Sequence, residues 1–336
     1  MKRWSQSPII LGYLIGFIAF FAPMLGFIAS KGLAPLVIVG SACCILILRI
    51  QNRLVKGINW PIYLILSFFC LWALVSSFWS IDAVASVIGS ARLLGNILAG
   101  GLLFIAVKSL TPKEKILVFK FFLAGFAIAI GIVVFEILLG GPIFITLKDK
   151  AYSIQRVWQG EYSGIYWLNP VMVVLSLFIW PISVGLHKKL IRFNFNKYPI
   201  LYIILGFLCI FILTLIIGFS SGTLAILCGL LGTTIMLILG KRIAIVAALV
   251  MTLVSFSLPF GFNVSQKPMS NVSSLLDIPM SAAHRIGIWK FTSDKVVERP
   301  FVGWGMNASK NIPGGKSFLY SDSGKHIGRA LPLHPH

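Results

Sequence analysis

Long apolar segments alternate with short polar segments over the first 261 residues of the chain. A helix that crosses the hydrocarbon core of a bilayer needs about 20 mostly apolar residues, or slightly fewer if flanking side chains reach the interface. Nine segments meet this requirement: 8–29, 33–48, 61–79, 84–107, 116–139, 166–186, 199–219, 223–239 and 243–261. Arg92 interrupts the fourth segment. Only Ser220, Ser221 and Gly222 separate the seventh from the eighth, which predicts a tight helical hairpin.

The composition supports the same interpretation. Hydrophobic residues make up 58% of the chain and charged residues only 11%, whereas soluble domains carry roughly 25% charged residues. We therefore predict an all-α fold, a polytopic transmembrane helix bundle over residues 1–261, followed by a polar, partly helical loop over residues 262–336. All five cysteines lie inside apolar segments, so neither a disulfide framework nor a zinc site is predicted.

The distribution of Lys and Arg predicts the orientation in the membrane. Short loops rich in these residues remain on the cytoplasmic side. With the N-terminus inside, fifteen basic residues fall on the cytoplasmic side and five on the opposite side before residue 262. This bias favours an inner-membrane protein with a cytoplasmic N-terminus and a periplasmic loop at 262–336. It also explains the net charge of +20 without nucleic-acid binding, because the charges are spread over membrane loops.

Residues 281–299 have the pattern of a short amphipathic helix. Ile286, Trp289, Val296 and Val297 are predicted to form its apolar face. The dipeptide Arg299–Pro300 should end the helix, and the Gly–Trp–Gly sequence at 303–305 should form a turn beyond it.

Two histidines at the end of the sequence are candidates for a catalytic base. His334 and His336 flank a proline, and a histidine that titrates near neutral pH suits proton removal from a sugar hydroxyl. The alternative is a solvated terminus without a catalytic role. A metal site is not predicted, because carboxylate or cysteine partners are missing at ligand spacing.

Basic residues on the predicted tail helix are candidates for binding a diphosphate. They are Arg285, Lys290, Lys295 and Arg299, and arginine binds phosphate oxygens through two N–H groups at once. The alternatives are a solvated helix face and attraction to anionic lipid head groups. Arg156 lies in the loop between the fifth and sixth segments, where it contributes either to the same pocket or to interfacial anchoring. Glu136, near the end of the fifth segment, is open to a functional or a structural role.

The tail also resembles a known family. Its sequence at 284–289, followed by 297–309 with Pro300 and the Gly303–Gly305 turn, is similar to the periplasmic loop of O-antigen ligases and O-antigen polymerases. That family has an arginine, a tryptophan four residues later, a proline and a Gly-x-Gly turn. The stretches 312–315 and 331–336, and Leu168–Asn169–Pro170 at the start of the sixth segment, extend the resemblance.

This resemblance implies a membrane glycosyltransferase of the lipid-carrier type, with a fold similar to other transferases of the GT-C class. Such an enzyme transfers a glycan from undecaprenyl diphosphate to a sugar hydroxyl of lipid A–core or of another repeat unit, without nucleotide, cofactor or metal. His336 matches the histidine of the family's His–Asn signature, and Arg285 matches the arginine of its helix. Ligation to lipid A–core is the expected reaction. Polymerisation, transport and a non-catalytic role in carrier binding are the alternatives.

The sequence departs from the family pattern at two places. The sequence given ends at His336, before the asparagine, the apolar helix and the Glu-x-Gly that the resemblance implies, so we expect a truncated and inactive form. The turn between the seventh and eighth segments reads Ser220–Ser221–Gly222–Thr223, without the arginine that many members carry there.

The charge bias generates a topology prediction. Reporter fusions after residues 56, 115, 195 and 242 should give a cytoplasmic signal, and fusions after 155 and 310 a periplasmic signal, because the basic loops remain inside. Paired alkaline phosphatase and green fluorescent protein reporters distinguish the two sides. A cytoplasmic signal at 310 would reverse the predicted orientation.

Overall fold

The computed structural model describes residues 9–53, 60–148, 166–187, 199–240, 242–264, 280–320 and 326–330. Within these ranges the secondary structure is almost entirely helical. The helices are α1 (Ile10–Ile28), α2 (Leu33–Ile50), α3 (Trp60–Val75), α4 (Ala83–Lys108), α5 (Pro112–Leu138), α6 (Pro142–Lys148), α7 (Asn169–His187), α8 (Pro199–Ile217), α9 (Ser220–Leu239), α10 (Arg242–Val264) and α11 (Met280–Glu298). Two short strands, β1 (Phe318–Tyr320) and β2 (His326–Arg329), form an antiparallel ribbon.

The predicted membrane segments all correspond to helices. In the described part of the chain, eight helices are long and apolar enough to cross a bilayer. The third segment is shorter, because α3 ends at Val75 and continues only as a 3₁₀ turn over Ser76–Trp79. Arg92 does not interrupt the fourth segment, since α4 is continuous over 26 residues. The predicted polytopic helix bundle is confirmed, and the ribbon β1–β2 is an addition that the sequence did not predict.

The chain divides into two compact units. Unit 1 comprises residues 1–58 and 96–234, and unit 2 comprises residues 59–95 and 235–336. This division groups the tail with α3, the first half of α4 and α10. The predicted boundary at residue 261 describes a different property, the change from apolar to polar sequence, and stays a prediction.

In unit 1, α1 and α5 lie side by side in the same direction. A Cβ atom on Gly12 would lie 3.0 Å from the Glu114 side chain, and one on Gly16 would lie 3.0 Å from the Phe121 ring. One turn further on, a Cβ atom on Gly125 would collide with the backbone of Phe20. Small residues allow such close approach between membrane helices, so the glycines determine the α1–α5 contact.

The helix α7 runs opposite to α1 and α5. Its N-terminal residues Val171 and Val174 contact Gly26 near the end of α1, while Gly185 near its C-terminus lies against Phe119 at the start of α5. These relative directions agree with the alternation predicted for the first, fifth and sixth segments. Side chains from α5, α7 and α8 fill the largest core of unit 1, where Met172, Leu175, Ile179 and Ile210 are buried.

An ion pair with a buried carboxylate lies where α5 begins. Arg53, just after α2, donates from Nη1 to Glu114 Oε1 (3.1 Å) and from Nη2 to Glu114 Oε2 (2.8 Å). Glu114 also accepts from the backbone N–H of Thr111, whose hydroxyl accepts from the Glu114 N–H, which forms a capping box at the start of α5. The hydrogen bonds to Glu114 raise the pKa of Arg53 further above its ordinary value. Arg53 Nη2 also donates to the Ser109 carbonyl, which ties α2 to the α4–α5 turn.

The glycine contact gives a stability prediction. Gly125→Ala should lower the free energy of unfolding by about 1–3 kcal/mol, because the new methyl group collides with backbone that has no rotamer to move away. Gly131→Ala is the matched control on the same helix, since a Cβ atom there would meet nothing within 4 Å. Thermal unfolding of both variants in the same detergent measures the difference. Equal melting temperatures for the two variants would contradict the α1–α5 contact.

Candidate functional site

The tail helix forms where the sequence predicts it. The helix α11 spans Met280–Glu298 and ends immediately before Arg299 and Pro300, because the residue before a proline disfavours helical backbone. The four basic candidates and the residues at 284–289 and 297–309 that resemble the known family therefore lie on α11 and on the loop that follows it. Unit 2 places this helix against α10, and the Ser293 hydroxyl donates a hydrogen bond to the carbonyl of Pro259.

One of the four residues predicted on the apolar face of α11 is exposed. Trp289 is 48% exposed, whereas Ile286, Val296 and Val297 are half-buried. Ser293, which lies on the same face at helical spacing, is 3% exposed. Gly287 and Ile288 lie outside the predicted face and are buried as well. The helix is therefore packed on more than the one side that the apolar pattern predicted.

The loop after α11 contains the predicted turn. Gly303 and Gly305 have positive φ values of 65° and 95°, a region that glycine adopts without a steric penalty. Gly305 also lies so close to Ser80 that a Cβ atom would collide with that residue. Both glycines of the Gly-x-Gly sequence are thus required by backbone geometry.

The corner between α3 and α4 holds this loop through hydrogen bonds to residues more than 200 positions away in the sequence. The Trp79 indole N–H donates to the Val302 carbonyl (2.8 Å), and the Ser76 hydroxyl accepts from the Met306 N–H (3.0 Å). We call residues 76–85 the corner clasp. Its remaining bonds to the loop are Asn311 Nδ2 to Asp82 Oδ2 (2.8 Å) and Asn307 Nδ2 to the Ala85 carbonyl (3.3 Å).

Sequence reasoning missed the corner clasp. A signal was present, because Asp82 stands directly before α4 and its Oδ1 accepts from the Ala85 N–H (2.9 Å), as a helix-capping residue does. That signal identifies a helix start, but it does not reveal which distant loop the second carboxylate oxygen binds.

The loop brings two of the four basic helix residues to one tryptophan. The Arg299 guanidinium lies 4.1 Å from the centre of the Trp304 ring, and Lys295 Nζ lies 5.5 Å from it. The Trp304 indole N–H donates to the Lys295 carbonyl (2.8 Å), which fixes the ring. Lys295 is also paired with Glu298 at 2.5 Å. We call Lys295, Arg299 and Trp304 the tryptophan–cation cluster.

Arg285, the predicted diphosphate ligand, lies apart from this cluster. It is exposed on α11, and its separation of 14 positions from Arg299 corresponds to about 21 Å along a helix axis. The two backbone positions are therefore about four helical turns apart. The other predicted site residues, Arg156, His334 and His336, lie outside the described residues.

Glu136 has a structural partner within unit 1. Its side chain is fully buried, and its two carboxylate oxygens accept the backbone N–H groups of Ile143 (3.1 Å) and Phe144 (2.8 Å) in the first turn of α6. A carboxylate satisfies the otherwise unpaired N–H groups at a helix start. This arrangement favours the structural interpretation of Glu136. In the part of the chain that the structure describes, no group of three or more His, Cys, Asp or Glu residues is arranged to hold a metal.

Comparison with known proteins relates the chain to proteins of Rickettsia. The chain is 31% identical over 196 residues to a Rickettsia prowazekii protein named "Putative polysaccharide ligase", a match that covers 57% of this chain and 45% of that protein. It is 27% identical over 272 residues to a Rickettsia typhi protein of the same name, covering 80% of this chain and 60% of the relative. A third relative with this name, from Rickettsia conorii, is 37% identical over 86 residues, covering 25% of this chain and 21% of the relative.

The matched region thus spans about half the length of the first two relatives. No protein-family profile matches the chain. No solved structure matches it either.

The corner clasp gives a local prediction. Ser76→Ala removes the acceptor for the Met306 N–H, and an unsatisfied backbone donor costs about 1–3 kcal/mol. Amide hydrogen exchange over residues 302–311 should therefore accelerate by about tenfold. Ser77→Ala is the matched control, because the Ser77 hydroxyl bonds only within its own turn, to the Leu74 carbonyl. Equal protection of the loop in both variants would show that the clasp does not hold it.

Proposed function

We propose that this protein transfers a glycan from undecaprenyl diphosphate to a sugar hydroxyl, most directly as ligation of O-antigen to lipid A–core. The observation that carries the proposal is the similarity to relatives named polysaccharide ligase, which extends over 80% of this chain in one case. The multi-pass helical fold supports it, because a polyprenyl carrier is confined to the membrane. The proposal includes the bacterial inner membrane as location, a cytoplasmic N-terminus and a periplasmic segment at 262–336.

The proposed reaction is a displacement at the first carbon of the glycan. The acceptor hydroxyl oxygen forms a bond to this carbon, and the bond from the carbon to the diphosphate oxygen breaks. Undecaprenyl diphosphate leaves with the electron pair, and the hydroxyl proton passes to a histidine. We assign His336 as this base and His334 as the alternative. Arg285 and Arg156 are assigned to the diphosphate, because cations stabilise the charge that develops on the leaving group.

Two features of the described structure fit this assignment. The arginine side chain at 285 is exposed, and no carboxylate pairs with it among the described residues. The corner clasp anchors the loop that connects the helix of Arg285 to the later part of the sequence, which contains His334 and His336. A polymerase of the same kind, which joins repeat units to one another, fits the same features and differs only in its acceptor.

A genetic experiment distinguishes the transferase from other classes of membrane protein. Deletion of the gene should cause lipid-linked glycan to accumulate and surface polymer to disappear, because the carrier can no longer deliver its glycan. Labelled carrier lipid and surface polysaccharide are measured in the same cells. A deletion strain with normal surface glycan and altered solute uptake would indicate a transporter. A strain unchanged in both would indicate a non-catalytic carrier-binding protein.

The residue assignments give a chemical prediction, tested in the protein encoded by the whole gene. His336→Ala should reduce transfer by about 10²–10⁴, the contribution of a general base, while carrier binding remains normal. Arg285→Lys should reduce both transfer and carrier binding, because an ammonium group cannot make two parallel bonds to phosphate oxygens. Activity should persist in a chelator. Transfer by His336→Ala within about threefold of the parent, far less than a base supplies, would move the assignment to His334 or end it.

A further inference from the structure

We propose that Arg299, stacked on Trp304, is a binding site for the phosphate group of a membrane lipid. The proposal is independent of the transfer reaction and concerns a different arginine from the one assigned to the reacting diphosphate. Its basis is the arrangement around the guanidinium, whose central carbon lies 4.1 Å from the centre of the Trp304 ring while Arg299 as a residue is exposed.

The arginine is held in place but its charge is not neutralised. Among the described residues no carboxylate pairs with Arg299, whereas Lys295 one turn earlier is paired with Glu298. A guanidinium on an indole is oriented by the ring and keeps its N–H groups free at the edge. Those N–H groups match two oxygens of a phosphate.

Hydrogen bonds hold the Trp304 indole and the chain around it in place. Its N–H donates to the Lys295 carbonyl, and the Gly303 N–H donates to the Arg299 carbonyl (3.0 Å). The corner clasp fixes the chain on both sides of Trp304, at Val302 and at Met306. The cation is therefore positioned before any ligand arrives, which reduces the entropy lost on binding.

The surroundings indicate that the ligand is a lipid. Phe301 is 89% exposed and Val302 is 47% exposed, directly after Arg299 and Pro300. Phe78, also 89% exposed, precedes the Trp79 that bonds to Val302. This exposed apolar tip lies at the end of the apolar helix α3. Aromatic side chains and cations gather where lipid head groups meet the hydrocarbon, so a phosphate at Arg299 would belong to a lipid.

The simpler explanation is that Arg299 only offsets the negative end of the α11 helix dipole. Any cation serves that purpose. Phosphate binding by two parallel N–H bonds requires the guanidinium itself. The substitution Arg299→Lys therefore separates the two explanations, and it retains the charge on which folding would depend.

The test measures binding by this purified chain in detergent, with native mass spectrometry. The probes are undecaprenyl diphosphate, phosphatidylglycerol and inorganic phosphate. We expect Arg299→Lys to weaken binding of lipid phosphate by roughly tenfold, the scale of a lost charge-assisted hydrogen bond. Trp304→Leu should weaken it by about threefold and Trp304→Phe by less, because phenylalanine keeps an aromatic face. Arg242→Lys is the matched control, because Arg242 is exposed and lies at the start of α10, roughly 25 Å along the helix axis from Pro259, which contacts α11; its binding should stay within about twofold of the parent.

The outcomes distinguish the sources of the phosphate. Loss for both lipids supports a site for the shared phosphate. Loss for undecaprenyl diphosphate alone assigns the site to the carrier, and loss for phosphatidylglycerol alone assigns it to the bilayer. Parent-like binding by Arg299→Lys, or an equal loss in Arg242→Lys, would overturn the proposal. Inorganic phosphate bound as tightly as either lipid would overturn the lipid assignment. None of these results depends on glycan transfer, so failure of the proposed reaction would be recognised separately.

Discussion

Inside a bilayer, apolar side chains gain little by leaving lipid tails for one another, so helices associate mainly through close packing and internal hydrogen bonds. Unit 1 depends on this constraint at the contact between α1 and α5. Gly12, Gly16 and Gly125 remove side chains along that contact and bring the two backbones together. Where α5 begins, Arg53 binds the buried Glu114 and the Ser109 carbonyl, which ties the end of α2 to the α4–α5 turn. A buried carboxylate needs such a partner, because a buried charge without one strongly destabilises the folded state.

In unit 2, the loop after α11 meets the same requirement, namely that polar groups have hydrogen-bond partners. Residues 299–317, after α11, have little regular structure of their own, so their backbone groups need partners elsewhere. The corner clasp supplies them through Ser76 and Trp79, and the glycines at 303 and 305 allow the loop to approach closely. Together with the hydrogen bond from the Trp304 N–H to the Lys295 carbonyl, these bonds place the Trp304 ring beside Arg299. The position of that cation therefore follows from hydrogen bonds made by the corner between two apolar helices.

Much of this architecture could be predicted from the sequence, and the missing parts share a physical cause. The nine segments and the end of α11 before Pro300 depend on local properties, namely apolar length and proline geometry. The clasp depends on pairs such as Ser76 and Met306, whose positions in the sequence are 230 apart, and no local pattern encodes such a pairing. The burial of Gly287 and Ile288 was missed because both lie outside the single apolar face that the spacing of α11 predicted. The capping box at Thr111 and Glu114 was readable from its spacing, but the partner Arg53 was not. The predicted base at His336 and the cation at Arg156 lie outside the described residues and stay predictions.

The central claim is covalent transfer of a glycan from a lipid diphosphate, and reconstitution measures it most directly. The protein encoded by the whole gene is placed in liposomes with radiolabelled glycan on undecaprenyl diphosphate and with lipid A–core as acceptor. The account predicts that label moves to the acceptor and that one undecaprenyl diphosphate is released for each glycan transferred. Label that remains on its carrier, whether or not it crosses the membrane, would contradict the claim.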